Sequence, residues 1–267
     1  MLKHPAALFS EMTESLWAGR ELAWRLAVRN LSALYRQTVL GFVWAFLPPL
    51  AAAATFIFLR RGGVLETGDL GVPYVAWVLI GTFLWQVFAD SISAPMRQVS
   101  QAKAMLTKIN FPREALIVAG IYETLFNFVI RLVIVVAVFV IFRIVPGWPV
   151  LALPLALLIL IVMGTMIGLL LTPIAVLYQD IEKGIPMLLP FLMILSGTVV
   201  PLPRDHWLVL LNPIYPVLQT CRDLLIGQPA TLWLHAVIVG LVSLVLLFVG
   251  WVMYRLAMPH LISRLGG

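Results

Sequence analysis

Residues 150–178 and 224–254 contain no Asp, Glu, Lys or Arg. A helix rises about 1.5 Å per residue, so runs of 29 and 31 residues outreach the ~30 Å hydrocarbon core of a bilayer. Such a stretch has no face to offer water, whereas in lipid a helix satisfies its own backbone donors and acceptors. Composition agrees. Of 267 residues, 62% are hydrophobic and 11% charged, against about 25% charged in a soluble domain. This excludes a soluble enzyme and a disordered chain. The net charge of +6 has no wetted face on which to bind nucleic acid. Cys221 is the only cysteine, which rules out an intrachain disulfide and a cysteine-based metal site.

The same criterion predicts an all-α membrane protein with six transmembrane helices, at about 39–59, 71–92, 114–142, 150–178, 184–202 and 229–256. The span at 114–142 is interrupted by Glu123 and Arg131. Residues 1–38 carry Glu11, Glu14, Glu21 and five basic residues ahead of any long apolar run, the pattern of a cytoplasmic segment rather than a cleavable signal. Residues 39–258 then form the membrane domain and 259–267 a tail. Twelve Lys and Arg fall on the side of the termini, five on the other side and Arg131 within a span. The positive-inside bias places both termini in the cytoplasm.

Two stretches are amphipathic rather than spanning. In the first, Glu11, Glu14, Glu21, Arg25, Arg29 and Arg36 share one helical face, opposite Met12, Leu16, Ala23, Leu26 and Leu34. Arg20 departs from the pattern. Such a helix lies along a membrane surface, as a basic anchor or as a docking element. In the second, at 96–109, Met96, Val99, Ala102, Leu106 and Ile109 recur at helical spacing among Arg97, Lys103 and Lys108, and Phe111-Pro112 ends the pattern. This predicts a short cytoplasmic helix. Residues 207–221 are uncharged but too short to cross, and they lie between Arg204-Asp205 and Arg222-Asp223. The stretch of about 203–227 therefore reads as a re-entrant element on the outer face.

Within the third span Glu123, Asn127 and Arg131 recur at i, i+4 and i+8. They form a polar stripe suited to a transport pathway, or to helix packing in which Asn127 bridges a Glu123/Arg131 pair. Asp90 reads as a helix-end residue. Gly164 and Gly168 make a small-xxx-small pattern, which internal packing explains more economically than dimerisation. No Gly-Lys-Ser or Gly-Lys-Thr phosphate loop, His-Glu-x-x-His or Gly-x-Ser-x-Gly occurs, and the four histidines are scattered. No catalytic residue and no metal ligand is expected.

Three motifs nevertheless resemble one family. They are Leu34-Tyr35-Arg36-Gln37-Thr38-Val39-Leu40-Gly41-Phe42-Val43-Trp44 with Pro48, then Lys108-Ile109-Asn110-Phe111-Pro112-Arg113, then Ser196-Gly197 through Pro201 to Asn212-Pro213 and Arg222-Asp223-Leu224-Leu225. Together they resemble ABC-2-type permeases that export polysaccharides. The resemblance implies a transport subunit of the bacterial inner membrane, not an enzyme. It implies a homodimer surrounded by membrane lipids and joined by two ATP-binding cassette subunits, which bind the ATP and Mg that this chain does not. The cargo it implies is lipid-linked polysaccharide, with O-antigen favoured over capsule or teichoic acid. By the same resemblance, Met96, Val99, Lys103, Leu106 and Lys108 belong to a coupling helix on the ATPase, and Glu21, Arg25, Arg29 and Arg36 to an interface helix. Phe42, Phe46 and Phe191 become candidate aromatics of a glycan channel. The alternatives are an ABC-2 permease for a drug or small lipid, and an ion-coupled carrier or channel using Glu123, Asp90 and Arg131.

Overall fold

A computed structural model describes residues 5–36, 43–63, 70–106, 108, 111–202, 209 and 211–265. Its helices are α1 (Pro5–Arg36), α2 (Val43–Arg61), α3 (Tyr74–Leu106), α4 (Glu114–Phe142), α5 (Leu153–Leu177), α6 (Gln179–Leu195), α7 (Ile214–Ile226) and α8 (Trp233–Leu265). A short 3-10 helix, Trp148–Ala152, leads into α5. Among the described residues there is no strand.

Among the described residues, four helices are long and apolar enough to cross a membrane: α3, α4, the Trp148–Leu177 segment that ends with α5, and Trp233–Leu261 of α8. The helices α2 and α6 occupy the regions of the other two expected spans, with 19 and 17 residues and two internal prolines each. At about 1.5 Å per residue, α6 is only about 26 Å long. It also begins earlier than expected. The break between α5 and α6 is the single extended residue Tyr178, and Asp180 and Glu182 lie in the first turn of α6, where carboxylates favour the helix dipole.

The hub of the bundle is α3, which packs against α2, α4, α5, α6 and α7. Protein buries 72% of its most apolar window, against 22% for α8, so α3 is wrapped by neighbours while α8 presents its side chains outward. Close approach of α5 to α3 depends on the two glycines. A Cβ on Gly164 would lie 2.5 Å from Ser91 Cβ. One on Gly168 would overlap the carbonyl oxygen of Ile92. The small-xxx-small pattern is thus used within the chain.

The core divides in two. The larger cluster surrounds Phe83, Leu84, Trp85, Phe88, Leu160 and Val217. The smaller one gathers Ala23, Leu26 and Ala27 of α1 with Val99, Leu106, Leu116, Leu169, Tyr254 and Met258. It ties α1 to the far ends of α3, α5 and α8 and to the start of α4. At 33 residues, α3 is about 50 Å long, so its last turns extend well beyond a ~30 Å span to reach α1.

Residues 96–106 do not form a separate helix but continue α3 through Pro95 without a break, and Ile109 lies outside the described residues. The apolar stripe expected to seat on a partner is instead the continuation of the buried face of α3. Met96 is 2%, Val99 1% and Leu106 7% exposed.

Candidate functional site

Three groups of polar side chains stand out from the apolar bundle. The first joins α1, α3 and α4. Asn30 Nδ2 donates to Gln98 Oε1 at 2.9 Å, and Gln98 Nε2 donates to Glu123 Oε2 at 2.6 Å. Arg97 Nη2 donates to Glu123 Oε1, also at 2.6 Å. On the first helix Arg29 donates to Asn30 Oδ1, which extends the chain of bonds to the surface. The second group lies deeper, where Arg131 Nη1 pairs with Asp90 Oδ2 at 2.5 Å and Asn127 Nδ2 donates to the same oxygen at 3.3 Å.

These contacts correct the expected Glu123/Arg131 pair. The stripe faces inward, with Glu123, Asn127 and Arg131 all at least 93% buried, but each charge has its own partner on α3. Eight residues separate Glu123 from Arg131, about 12 Å along the helix, too far for a direct bond. Seven separate Asp90 from Arg97, about 10.5 Å, with the same acid-to-base order along the chain. Two antiparallel helices carrying acid and base at matching intervals lock together twice. Asp90 is therefore a half-buried partner within α3 rather than a simple helix end.

The surfaces at the α1 end are mixed. Lys103 reaches the Val176 carbonyl at 3.5 Å, and Lys108 is exposed. Glu21 and Arg25 form an ion pair in which both side chains are 74% exposed, and Arg29 is exposed too. The side chain of Arg36 falls outside the described residues. Next to these charges runs an apolar strip that the sequence pattern missed: Trp17 is 71%, Trp24 59% and Val28 43% exposed. Arg20 fits this strip, since its guanidinium lies 4.2 Å from the centre of the Trp17 ring. Trp24 meets Tyr122 of α4 edge-on at 5.7 Å. A half-open cleft between α1, α4 and α8 is lined by Ser15, Arg113 and the Arg255–Glu114 pair, which bonds at 2.9 Å.

The third group is at the opposite end. Arg222, 1% exposed, donates through Nη2 to the Thr198 carbonyl at 2.8 Å. Its Nη1 reaches the Gly197 carbonyl at 3.4 Å and Gln219 Oε1 at 3.1 Å. The guanidinium stacks 3.7 Å from the centre of Trp77, which stacks in turn on Tyr74. The Tyr74 hydroxyl donates to the next carbonyl, of Val199, at 2.8 Å. Three consecutive carbonyls after α6 are thus held by side chains of α3 and α7. Gly197 makes this turn at φ 61°, a left-handed conformation in which a side chain is strained. Gly81 makes room for it, because a Cβ there would overlap the Thr198 oxygen and Arg222 Nη2. Asn212 Nδ2 bonds the Leu195 carbonyl and Ser196 Oγ, while its Oδ1 accepts from the amide of Ile214 at the start of α7. Ser196-Gly197, Asn212-Pro213 and Arg222-Asp223, far apart in sequence, form one knot. Burial pulls Arg222 down to about 10, which leaves it charged at neutral pH.

Of the candidate channel aromatics, Phe46 is half-buried against the larger core, Phe191 is 67% exposed on α6, and Phe42 lies outside the described residues. The free face of α6 also carries Met187 and Leu188.

The family described as ABC-2 type transporter matches residues 21–226. The chain is 26% identical over 191 residues to the O-antigen export system permease protein RfbA of Myxococcus xanthus, covering 72% of each chain. It is 20% identical to a Klebsiella pneumoniae protein of the same name, covering 73% of this chain and 76% of that one. To the polysialic acid transport protein KpsM of Escherichia coli it is 23% identical over 238 residues, 86% of this chain and 91% of the other. A helical bundle with membrane-crossing helices and a family match reaching from α1 to the end of α7 has one conclusion: the chain belongs to the ABC-2 type transporter family.

Proposed function

We propose that the chain is the membrane-spanning subunit of an ATP-driven exporter of lipid-linked polysaccharide, with O-antigen as the favoured cargo. The observation that carries this is the likeness, over 72% or more of the chain, to permeases named for O-antigen export and polysialic acid transport. No phosphate loop occurs in the sequence, so the energy comes from a separate ATP-binding subunit, with its own ATP and Mg. In this reading α2 and α6 are the remaining two of six crossings, both termini are cytoplasmic, and the protein resides in the bacterial inner membrane. The charge count supports that orientation, and the exposed Trp17 and Trp24 suit α1 to the headgroup layer.

Two copies enclose the path. The described bundle is filled by its own core, so a polymer-sized passage belongs between protomers. The apolar free face of α6, with Phe191, is available to line it. Sugar rings pack their C–H faces against aromatics without one fixed register, which suits a sliding polymer. The ATPase docks at the α1 end, where Lys103, Lys108, Arg25 and Arg29 stand at or near the surface. An ion-coupled carrier is less well supported, because Asp90 and Glu123 are each tied to a guanidinium.

Deleting the gene and measuring surface glycan tests the reading. Export predicts loss of surface polymer and its accumulation in the cytoplasm. Unchanged glycan with altered drug tolerance contradicts it in favour of a drug or small-lipid permease.

A further inference from the structure

The helix α7, the start of α3 and the connection from α7 to α8 enclose a cavity of about 570 Å³. This is within the roughly 300–1,000 Å³ of small-ligand sites. We propose that it is a saccharide subsite, which holds sugar units of the exported polymer at the outer end of the bundle. The inference rests on the export reading above.

The lining argues for a neutral, hydroxyl-rich ligand. Arg222 contributes a positive charge, but its Nη atoms are directed at carbonyls and at Gln219. Gln219 Nε2 in turn donates to Asp223 Oδ1 at 2.7 Å, so the acid and the base are compensated within the wall. An ion or a lipid phosphate would find no net charge to meet. Beside these compensated groups the wall carries the Gln228 amide and the Thr231 hydroxyl, each of which can both donate and accept. A sugar hydroxyl both donates and accepts, and adjacent hydroxyls need such a mixture. Trp77 and Ile226 supply apolar surface for the C–H groups of the same ring. The cluster is also incomplete. Arg222 is 99% buried and lines the cavity, yet among the described residues its Nε has no hydrogen-bond partner. Buried polar groups are normally satisfied, so this N–H marks the wall as short of an acceptor, which a sugar hydroxyl oxygen can be. The opening is shaped as well as lined. Gly71 lacks a Cβ where the Gln228 amide lies, which lets that side chain close over the start of α3.

A photoreactive benzophenone amino acid at exposed Thr231, compared with one at outward-facing Val129, tests the proposal in cells. After irradiation, the purified chain is oxidised with periodate and stained with a hydrazide dye, which reports attached vicinal diols. The expected result is a stained, high-mass adduct at Thr231 at least tenfold above that at Val129. Separately, Thr231→Trp should narrow the cavity and lower surface glycan at least threefold, with unchanged amounts of chain in the membrane. Absence of a glycan adduct at Thr231 in cells that export glycan, or a phospholipid adduct in its place, overturns the subsite while leaving the export reading intact. Normal surface glycan in the deletion strain overturns both.

Discussion

The two ends of the bundle are held by different chemistry. At the α1 end, carboxylates meet guanidiniums across α3 and α4: Arg97 with Glu123 and Arg131 with Asp90. At the α7 end, one guanidinium meets backbone carbonyls and an aromatic face. Side-chain pairs at matching intervals fix the register of two long helices. Carbonyl contacts fix the path of an irregular turn, and they require glycine at Gly81 and Gly197. The first arrangement is a strut between rigid rods, and the second is a clasp on a segment that crosses nothing.

The strut should give the larger response. Arg131→Leu strands the Asp90 carboxylate at low dielectric and should cost about 3–5 kcal/mol, read as thermal unfolding in mild detergent. Adding Asp90→Asn should restore much of the loss, and adding Glu123→Gln should not. Equal rescue by the two would erase the assignment of partners. The clasp comes next. Arg222→Ala leaves the Gly197 and Thr198 carbonyls unpaired and opens a cavity, at about 3 kcal/mol. Its neighbour Cys221 reports on the same contact. Burial pushes that thiol up to about 12, so the thiolate at neutral pH is roughly a thousandfold scarcer than at its ordinary value of 9.0. Maleimide labelling should be slow, because the thiol is fully buried and meets the reagent only when α7 opens. In Arg222→Ala it should accelerate at constant pH. If that variant labels no faster, Arg222 does not hold α7 down. The smallest effect belongs to the exposed Glu21–Arg25 pair, where Glu21→Ala should change stability by less than about 0.5 kcal/mol and less still in high salt.

The contrast also explains what could be read from the sequence. Charge-free length reveals long helices, because lipid enforces them residue by residue. The inward orientation of Glu123, Asn127 and Arg131 was legible for the same reason. Their partners were not, since pairing depends on which helix lies alongside and in what register. Asp90 and Arg97, which run acid to base along the chain as Glu123 and Arg131 do and so face them in complement on antiparallel helices, were the available signal. The run from Met96 to Leu106 misled, because an apolar stripe looks alike whether it meets a partner or this chain's own α1, α4 and α5. Trp17 and Trp24 were overlooked beside the charged face of α1. The knot at Arg222 was visible only as scattered motifs, for its contacts run to backbone carbonyls that no side-chain pattern encodes.

The most direct test of the central claim is ATP-dependent glycan transfer across proteoliposomes containing the chain, with and without an ATP-binding subunit co-purified from its host. The account predicts transfer only when both proteins and ATP are present, and none from the chain alone. Full transfer by the chain alone, without nucleotide, would contradict it.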